Sequence, residues 1–390
     1  MRALLMAILA RAGVLERLRR DWRSDLSRSA SRSEMELDRL RARGDEHRRE
    51  LQVQLKDLKA QLREQSAGIA EQARQLVALQ AQAAAGAREL TEAVTALTRR
   101  LNVDQRIDAR NEADEDWLAR LPALLDGAAV GAHIDRAVSA ADLRLDPFPH
   151  LVVTDILPLP VYELLVAALP GPDVLTTRDR RKVNIKLRSS ERLPRLTRRA
   201  WTFFETAVVP VISDLLQQRF APFVRQRFVD MFGSAVAAQV EQLPQGASVG
   251  RLMLRRPGYH LAPHLDPRRV SFTALLYLAR PGDPEQMGTD LYSVSSVLRP
   301  GKTKTYYPEE DGLTCTLRAQ VPFTPNTLLA FLNAGGAHGA SMPKTLPRDT
   351  TRYAYQFYVG PDLDAFAELL RALPAETQRA WQDVIDRREE

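Results

Sequence analysis

The pattern of apolar positions changes character three times along the chain. From about residue 34 to 103, Leu55, Leu62, Ile69, Leu76, Ala83, Leu90 and Leu97 recur every seven residues, and Leu51, Leu58 and Leu79 sit four residues ahead of members of that series. A sustained seven-residue repeat predicts helices wound into a left-handed coil. Gln65, Gln72, Gly86 and Ala93 interrupt the second seam, so the coil over 34–103 is expected to be imperfect. A long helix folded back on the rest of the chain is the alternative. Residues 104–145 continue as a charged helical linker. Ahead of the coil, 1–33 reads as a short apolar start, an arginine cluster and a flexible Ser/Arg joint.

The composition shifts at Asp146-Pro147-Phe148-Pro149. HLVVTDIL follows as a strand, and Leu159 to Leu169 has helical spacing. Trp201, Phe203, Phe204, Val208, Val211, Leu215, Leu216, Phe220, Phe223 and Phe228 recur at helical spacing and predict core-packing helices. From 237 the runs become short and β-rich: QVEQL, GRLMLRR, SFTALLYLA, DLYSV, TCTLRAQV, TLLAFLN and RYAYQFYV. Successive short strands separated by Pro and Gly, without helices between them, predict an antiparallel sandwich or barrel. Residues 362–390 close the chain with a helical pattern around Phe366, Leu369 and Leu370.

Composition narrows the classes. The single cysteine, Cys315, excludes an internal disulfide framework and a thiolate metal cluster, and fits a cytoplasmic location. The formal charge of +6 over 390 residues is modest. It is read as solvated helix surface, with no nucleic-acid partner expected. No apolar run reaches the roughly 18 residues needed to span a bilayer. Peripheral membrane contact by the first helix is the minority reading. The basic stretch 178–195 is a solvated flank or, alternatively, the mouth of a site for an acidic or phosphorylated substrate.

Six histidines offer candidate chemistry: 47, 133, 150, 260, 264 and 338. Two of them stand in a His-x-Asp pair. His133-Ile-Asp135 lies in helical sequence, where residues two apart point in different directions, and is set aside. His264-Leu265-Asp266 lies in β-rich sequence, where alternate residues share a side. An imidazole and a carboxylate so spaced can face one metal. His338, between two late strands, can supply a third ligand. Two histidines and one carboxylate on one face leave positions open, the arrangement used by non-haem Fe(II). A structural His–Asp hydrogen bond is the bland reading of the pair.

GYHLAPHLD, SFTALLYLA, GTDLYS, NTLLAFLNAGGAHGA and RYAYQFYVG together resemble the prolyl-hydroxylase-like branch of the 2-oxoglutarate/Fe(II) oxygenases. The resemblance covers about 237–360, with DPFPHLVVTDILPLPVYELL similar to the family's opening segment. It implies an α+β fold: a double-stranded β-helix, or jelly roll, with flanking helices, here preceded by the long N-terminal coiled-coil helix. The oxygenase domain would span 146–361 and the C-terminal helix 362–390. The resemblance implies His264, Asp266 and His338 as catalytic metal ligands, with Fe(II), 2-oxoglutarate as co-substrate and O2. Arg352 matches the residue that binds the far carboxylate of 2-oxoglutarate, and Tyr277 stands where some relatives add a hydroxyl. Arg348 is the second choice for that anchor. Arg255 replaces a tyrosine common in relatives, and Ala354 a serine. Asp266 is also the residue that halogenating relatives lack, so hydroxylation or another oxidation is implied. The substrate, a protein side chain or a small molecule such as a glycan unit, is not named by the sequence. Homo-oligomerisation through the coil is expected. The alternative is a coiled-coil scaffold whose jelly roll binds a ligand without turnover.

Overall fold

The computed structural model describes residues 62–171, 181–187, 193–248, 250–295 and 305–386, together with Trp22, Ser29, Met35, Glu36 and Arg39. Two units separate, Met1–Ala96 and Leu97–Glu390. Helix α1 runs over Leu62–Ala113. Leu76, Leu79 and Leu90, on the predicted seams, are exposed in the first unit. The earlier part of the predicted coil, with Leu51, Leu55 and Leu58, lies outside the described residues, as does the apolar start. Among the described residues no helix is long and apolar enough to cross a membrane.

In the second unit, α2 (Glu115–Leu124) and α3 (Gly127–Ala140) follow α1. Asp126 caps α3, its carboxylate accepting from the Ala128 and Ala129 N–H groups. This is the segment expected as a linker, and it is helical. Leu121, Val130, Ile134 and Val138 are buried in the main core.

Among the described residues, twelve strands form two antiparallel sheets. They are β1 (Leu143–Arg144), β2 (His150–Val153), β3 (Lys182–Ile185), β4 (Gln245–Ala247), β5 (Arg251–Arg255), β6 (His260–His264), β7 (Phe272–Tyr277), β8 (Thr289–Val294), β9 (Cys315–Val321), β10 (Thr327–Leu332), β11 (Gly336–Ser341) and β12 (Arg352–Pro361). The larger sheet has the order β1-β2-β10-β7-β12-β5-β3, with β4 on β12. The smaller has the order β6-β11-β8-β9. Two facing antiparallel sheets with crossovers between them make the predicted jelly roll.

The central strands β7, β10 and β12 are buried on both faces, which is why they read as continuous apolar runs. One face of the larger sheet packs against α4 (Leu159–Ala167), α5 (Arg195–Phe203) and α6 (Val209–Phe232), with a π-helical turn at Phe204–Val208 between the last two. Trp201, Phe204 and Tyr355 form the aromatic centre of that core, with ring centroids 5.1–5.4 Å apart. The other face meets the smaller sheet through Met253, Leu275, Tyr277, Leu291, Leu329, Phe331 and Ala354.

One expectation differs from the structure. QVEQL, read as a strand, is the end of helix α7 (Ser234–Gln242). Ala237 and Val240 are buried against Phe228 and the C-terminal helices α8 (Leu363–Arg371), α9 (Ala375–Ala380) and α10 (Gln382–Ile385). A short apolar run fits either element, and here tertiary packing chose the helix.

Candidate metal and co-substrate site

His264 ends β6 and His338 lies in β11, directly opposite it in the ladder. Asp266 follows two residues after His264, beyond the strand end. One ligand atom from each of the three lies within 4.8 Å of the others, and all three side chains are buried. His264 Nε2 is 4.0 Å from Asp266 Oδ1, and His338 Nε2 is 3.7 Å from Oδ2. The other ring nitrogen of His264, Nδ1, is 2.9 Å from the Ala262 carbonyl. Placing the proton on Nδ1 satisfies that carbonyl and leaves the Nε2 lone pair facing the site.

Asp266 is aimed by two hydroxyls. Thr273 donates to Oδ2 at 2.6 Å and Tyr358 to Oδ1 at 3.0 Å. The backbone around it is held by Asn333, whose side-chain amide donates to the carbonyls of Asp266, Pro267 and Val270. The Arg268 guanidinium lies 3.6 Å over the Trp381 ring and fastens this loop to the C-terminal helices. On the facing strand, a Cβ at Gly336 would meet Phe148 at 2.1 Å. Only glycine lets β11 approach closely enough to place His338 opposite His264.

The electrostatics prepare the triad for a cation. Burial and the neighbouring His264 pull the His338 imidazole down to about 3, against the attraction of Asp266. Burial alone would raise the Asp266 carboxyl. The two histidines and the Thr273 and Tyr358 hydroxyls outweigh it and hold the group below its usual range. Both side chains therefore stay in the protonation state a metal requires.

A sign follows for the metal-free protein. His338 is neutral when folded and charges at about 6.5 when unfolded, so the unfolded state takes the proton first. Stability is full above pH 6.5 and falls as pH drops from there toward 3. The depressed Asp266 adds a further loss at the acidic end, as pH falls through its folded value. One such histidine contributes a slope of at most about 1.4 kcal/mol per pH unit. Urea melts of metal-free His338→Gln are expected to show a flatter profile between pH 6.5 and 4.5 than the wild type. Parallel profiles would show that His338 does not titrate this way.

Farther along the same interior, Arg352 is 3 % exposed. Its Nε donates to the Met287 carbonyl at 2.5 Å, and Nη2 lies 3.4 Å from Thr289 Oγ1. The Tyr277 hydroxyl donates to the same Thr289 oxygen at 2.7 Å. Among the described residues no carboxylate lies within ion-pair distance of Arg352. Burial raises the Tyr277 phenol to about 12, with Arg352 opposing, so the hydroxyl keeps its proton.

The structure thus brings the five candidate residues His264, Asp266, His338, Arg352 and Tyr277 into one interior. Arg348 is exposed in the loop before β12. His133 lies on α3, its Nε2 2.8 Å from the Asp155 carbonyl, and Asp135 is exposed, so the second His-x-Asp forms no site. Sequence reading missed Thr273, Tyr358 and Thr289. The signal was available for two of them. Thr273 and Tyr277 are four apart on one strand, and Arg352 and Tyr358 six apart on another, so each pair shares a face.

No family model matches the sequence, and no curated protein matches it. Solved structures do. One is the non-haem alpha-ketoglutarate-dependent epimerase SnoN from nogalamycin biosynthesis, 14 % identical over 59 % of this chain and 81 % of that one, with a TM-score of 0.35. Another is HygX from Streptomyces hygroscopicus with nickel and 2-oxoglutarate bound, 17 % identical over 54 % and 82 %, TM-score 0.29. A third is a prolyl-4-hydroxylase from Pseudomonas putida, 15 % identical over 59 % and 99 %, TM-score 0.28.

Proposed function

We propose that the chain is a non-haem Fe(II), 2-oxoglutarate-dependent dioxygenase that hydroxylates its substrate. The observation that carries this reading is the pairing, inside one jelly roll, of a buried His264–Asp266–His338 triad with a buried Arg352 that has no carboxylate within ion-pair distance among the described residues. The donor set fits the metal, since two imidazole nitrogens and one carboxylate suit Fe(II) and leave positions for a chelating co-substrate and O2. Bound there, Fe(II) would supply the redox chemistry that couples oxidative decarboxylation of 2-oxoglutarate to substrate oxidation.

The chain's own residues do the rest. Thr273 and Tyr358 fix the Asp266 carboxylate. The Ala262 carbonyl fixes the His264 tautomer. Arg352, with Tyr277 and Thr289 beside it, would receive the far carboxylate of 2-oxoglutarate through charge-assisted hydrogen bonds. Leu275, Leu291, Phe331 and Ala354 line the interior and keep water from it. The test is succinate formation from 2-oxoglutarate by the purified chain with added Fe(II). It is expected in the wild type and absent in His264→Ala. Equal succinate release by both proteins would remove the assignment.

We propose further that the oxygenase domain is the segment 146–361 and that α1 associates with a second copy along its seam. The exposure of Leu76, Leu79 and Leu90 supports the pairing. Sedimentation of Leu76→Lys/Leu90→Lys should show a smaller species than the wild type. Identical sedimentation would refute the seam.

A further inference from the structure

Arginines gather on the interior face of the larger sheet beyond what the proposed chemistry uses. Arg255 pairs directly with Arg352 across β5 and β12, and Arg251 pairs with Gln356. Residues directly opposite in an antiparallel ladder share a face. Arg255 is 3 % exposed and donates to the carbonyls of Val183 and Leu254 and to Asn184 Oδ1. Arg251 donates from Nε to Gln356 at 2.7 Å and from Nη2 to the Tyr358 hydroxyl at 2.7 Å. Tyr358 in turn donates to Asp266, so Arg251 stands two hydrogen bonds from the metal triad. Among the described residues neither Arg251 nor Arg255 has a carboxylate within ion-pair distance.

A charge count shows the surplus. A divalent metal, Asp266 and a 2-oxoglutarate dianion leave one negative charge, which Arg352 balances. Among the described residues, Arg251 and Arg255 then have no counter-charge in a partly buried interior, where uncompensated charge is costly. Of the five N–H donors of Arg251, two are used within the protein, and the other three have no acceptor among the described residues. Arg251 is only partly buried, so those donors are open to an incoming molecule. Lys182, exposed and paired with Arg255 across β3 and β5, adds positive charge to the same face.

We propose that the primary substrate carries an oxyanion group, carboxylate or phosphate, and that Arg251 grips it beside the metal, with Arg255 and Lys182 supplying the surrounding positive field. This inference names the substrate class for the oxygenase reading and rests on it. A guanidinium suits the task because its planar fork meets two oxygens of one group.

The experiment uses the full chain loaded with Mn(II) and saturating 2-oxoglutarate without O2, titrated with inorganic phosphate or with acetate. Paramagnetic broadening of the 31P or methyl 1H resonance reports an anion close to the metal. Saturable broadening is expected in the wild type. It should weaken at least tenfold in Arg251→Gln and recover in part in Arg251→Lys. Lys182→Glu, at an exposed position, should weaken it threefold or more and decides the matter if Arg251→Gln does not fold. A stronger response to phosphate assigns a phosphorylated substrate, and a stronger response to acetate a carboxylate. No broadening in the wild type overturns the proposal. So does unchanged broadening in Arg251→Gln or, where that variant does not fold, in Lys182→Glu. Calorimetric titration of the same proteins with 2-oxoglutarate reports the oxygenase reading separately. If 2-oxoglutarate binds and the anions do not, only the substrate class is lost. If 2-oxoglutarate itself does not bind, the oxygenase reading fails.

Discussion

Asp266→Ala is expected to abolish stoichiometric metal binding while leaving the fold in place. The carboxylate is the one anionic donor of the triad, and the two imidazoles that remain carry no charge to offset a divalent cation. Loss of one ligand in three should weaken the metal by roughly a thousandfold or more, about 4 kcal/mol at 1.4 kcal/mol per decade. Stability changes far less. The substitution strands the Thr273 and Tyr358 hydroxyls, at a cost of about 1–3 kcal/mol for buried groups left without partners. It also relieves the desolvation of a buried charge, which acts in the opposite direction. Metal content after dialysis, together with the melting temperature of the metal-free protein, checks both parts. Added metal should raise the melting temperature of the wild type and leave that of the variant unmoved. Wild-type metal content in Asp266→Ala would place the metal elsewhere.

The second large effect falls on the co-substrate. Arg352→Gln should weaken 2-oxoglutarate binding at least a hundredfold, about 3 kcal/mol, because it removes a buried charge-assisted partner. Metal binding should persist. Tyr277→Phe removes one hydroxyl from the same end of the interior and should cost about tenfold, in line with one hydrogen bond. Calorimetric titration of Mn(II)-loaded protein with 2-oxoglutarate separates these outcomes from loss of metal. If Arg348→Gln weakened 2-oxoglutarate more than Arg352→Gln, the anchor would be the loop arginine. The burial of Arg352 and the exposure of Arg348 argue for the first order.

How much of this was legible in the chain depends on the range of the interaction. Strands β7, β10 and β12 announce themselves because both their faces are buried, which demands continuous apolar runs. The His-x-Asp pair was legible as a candidate and ambiguous as a fact, since His133-Ile-Asp135 has the same spelling. The helix around His133 disposes of that copy. For the other copy, the turn at Gly335-Gly336 brings His338 opposite His264. Strand β11 was poorly legible, because Gly336-Ala337-His338-Gly339-Ala340-Ser341 lacks the bulky residues that mark strands. Its small residues exist to let the sheet approach Phe148 and the β6 backbone, a need that local sequence does not show. The end of α7 was misread as a strand because five residues of mixed polarity carry no decisive period.

By itself the sequence determined the residue types, the alternation of faces within each strand, and the likeness that points to His264, Asp266, His338 and Arg352. Those are properties of neighbours in the chain, and period-two geometry reads them out directly. Only the tertiary structure decided which faces meet. It placed His338 opposite His264, aimed Asp266 with hydroxyls from two different strands, and stacked Arg251, Arg255 and Arg352 in one interior with no protein carboxylate within ion-pair distance of them among the described residues. The physical reason is that charge balance and hydrogen-bond satisfaction are settled between segments far apart in sequence, where spacing carries no information.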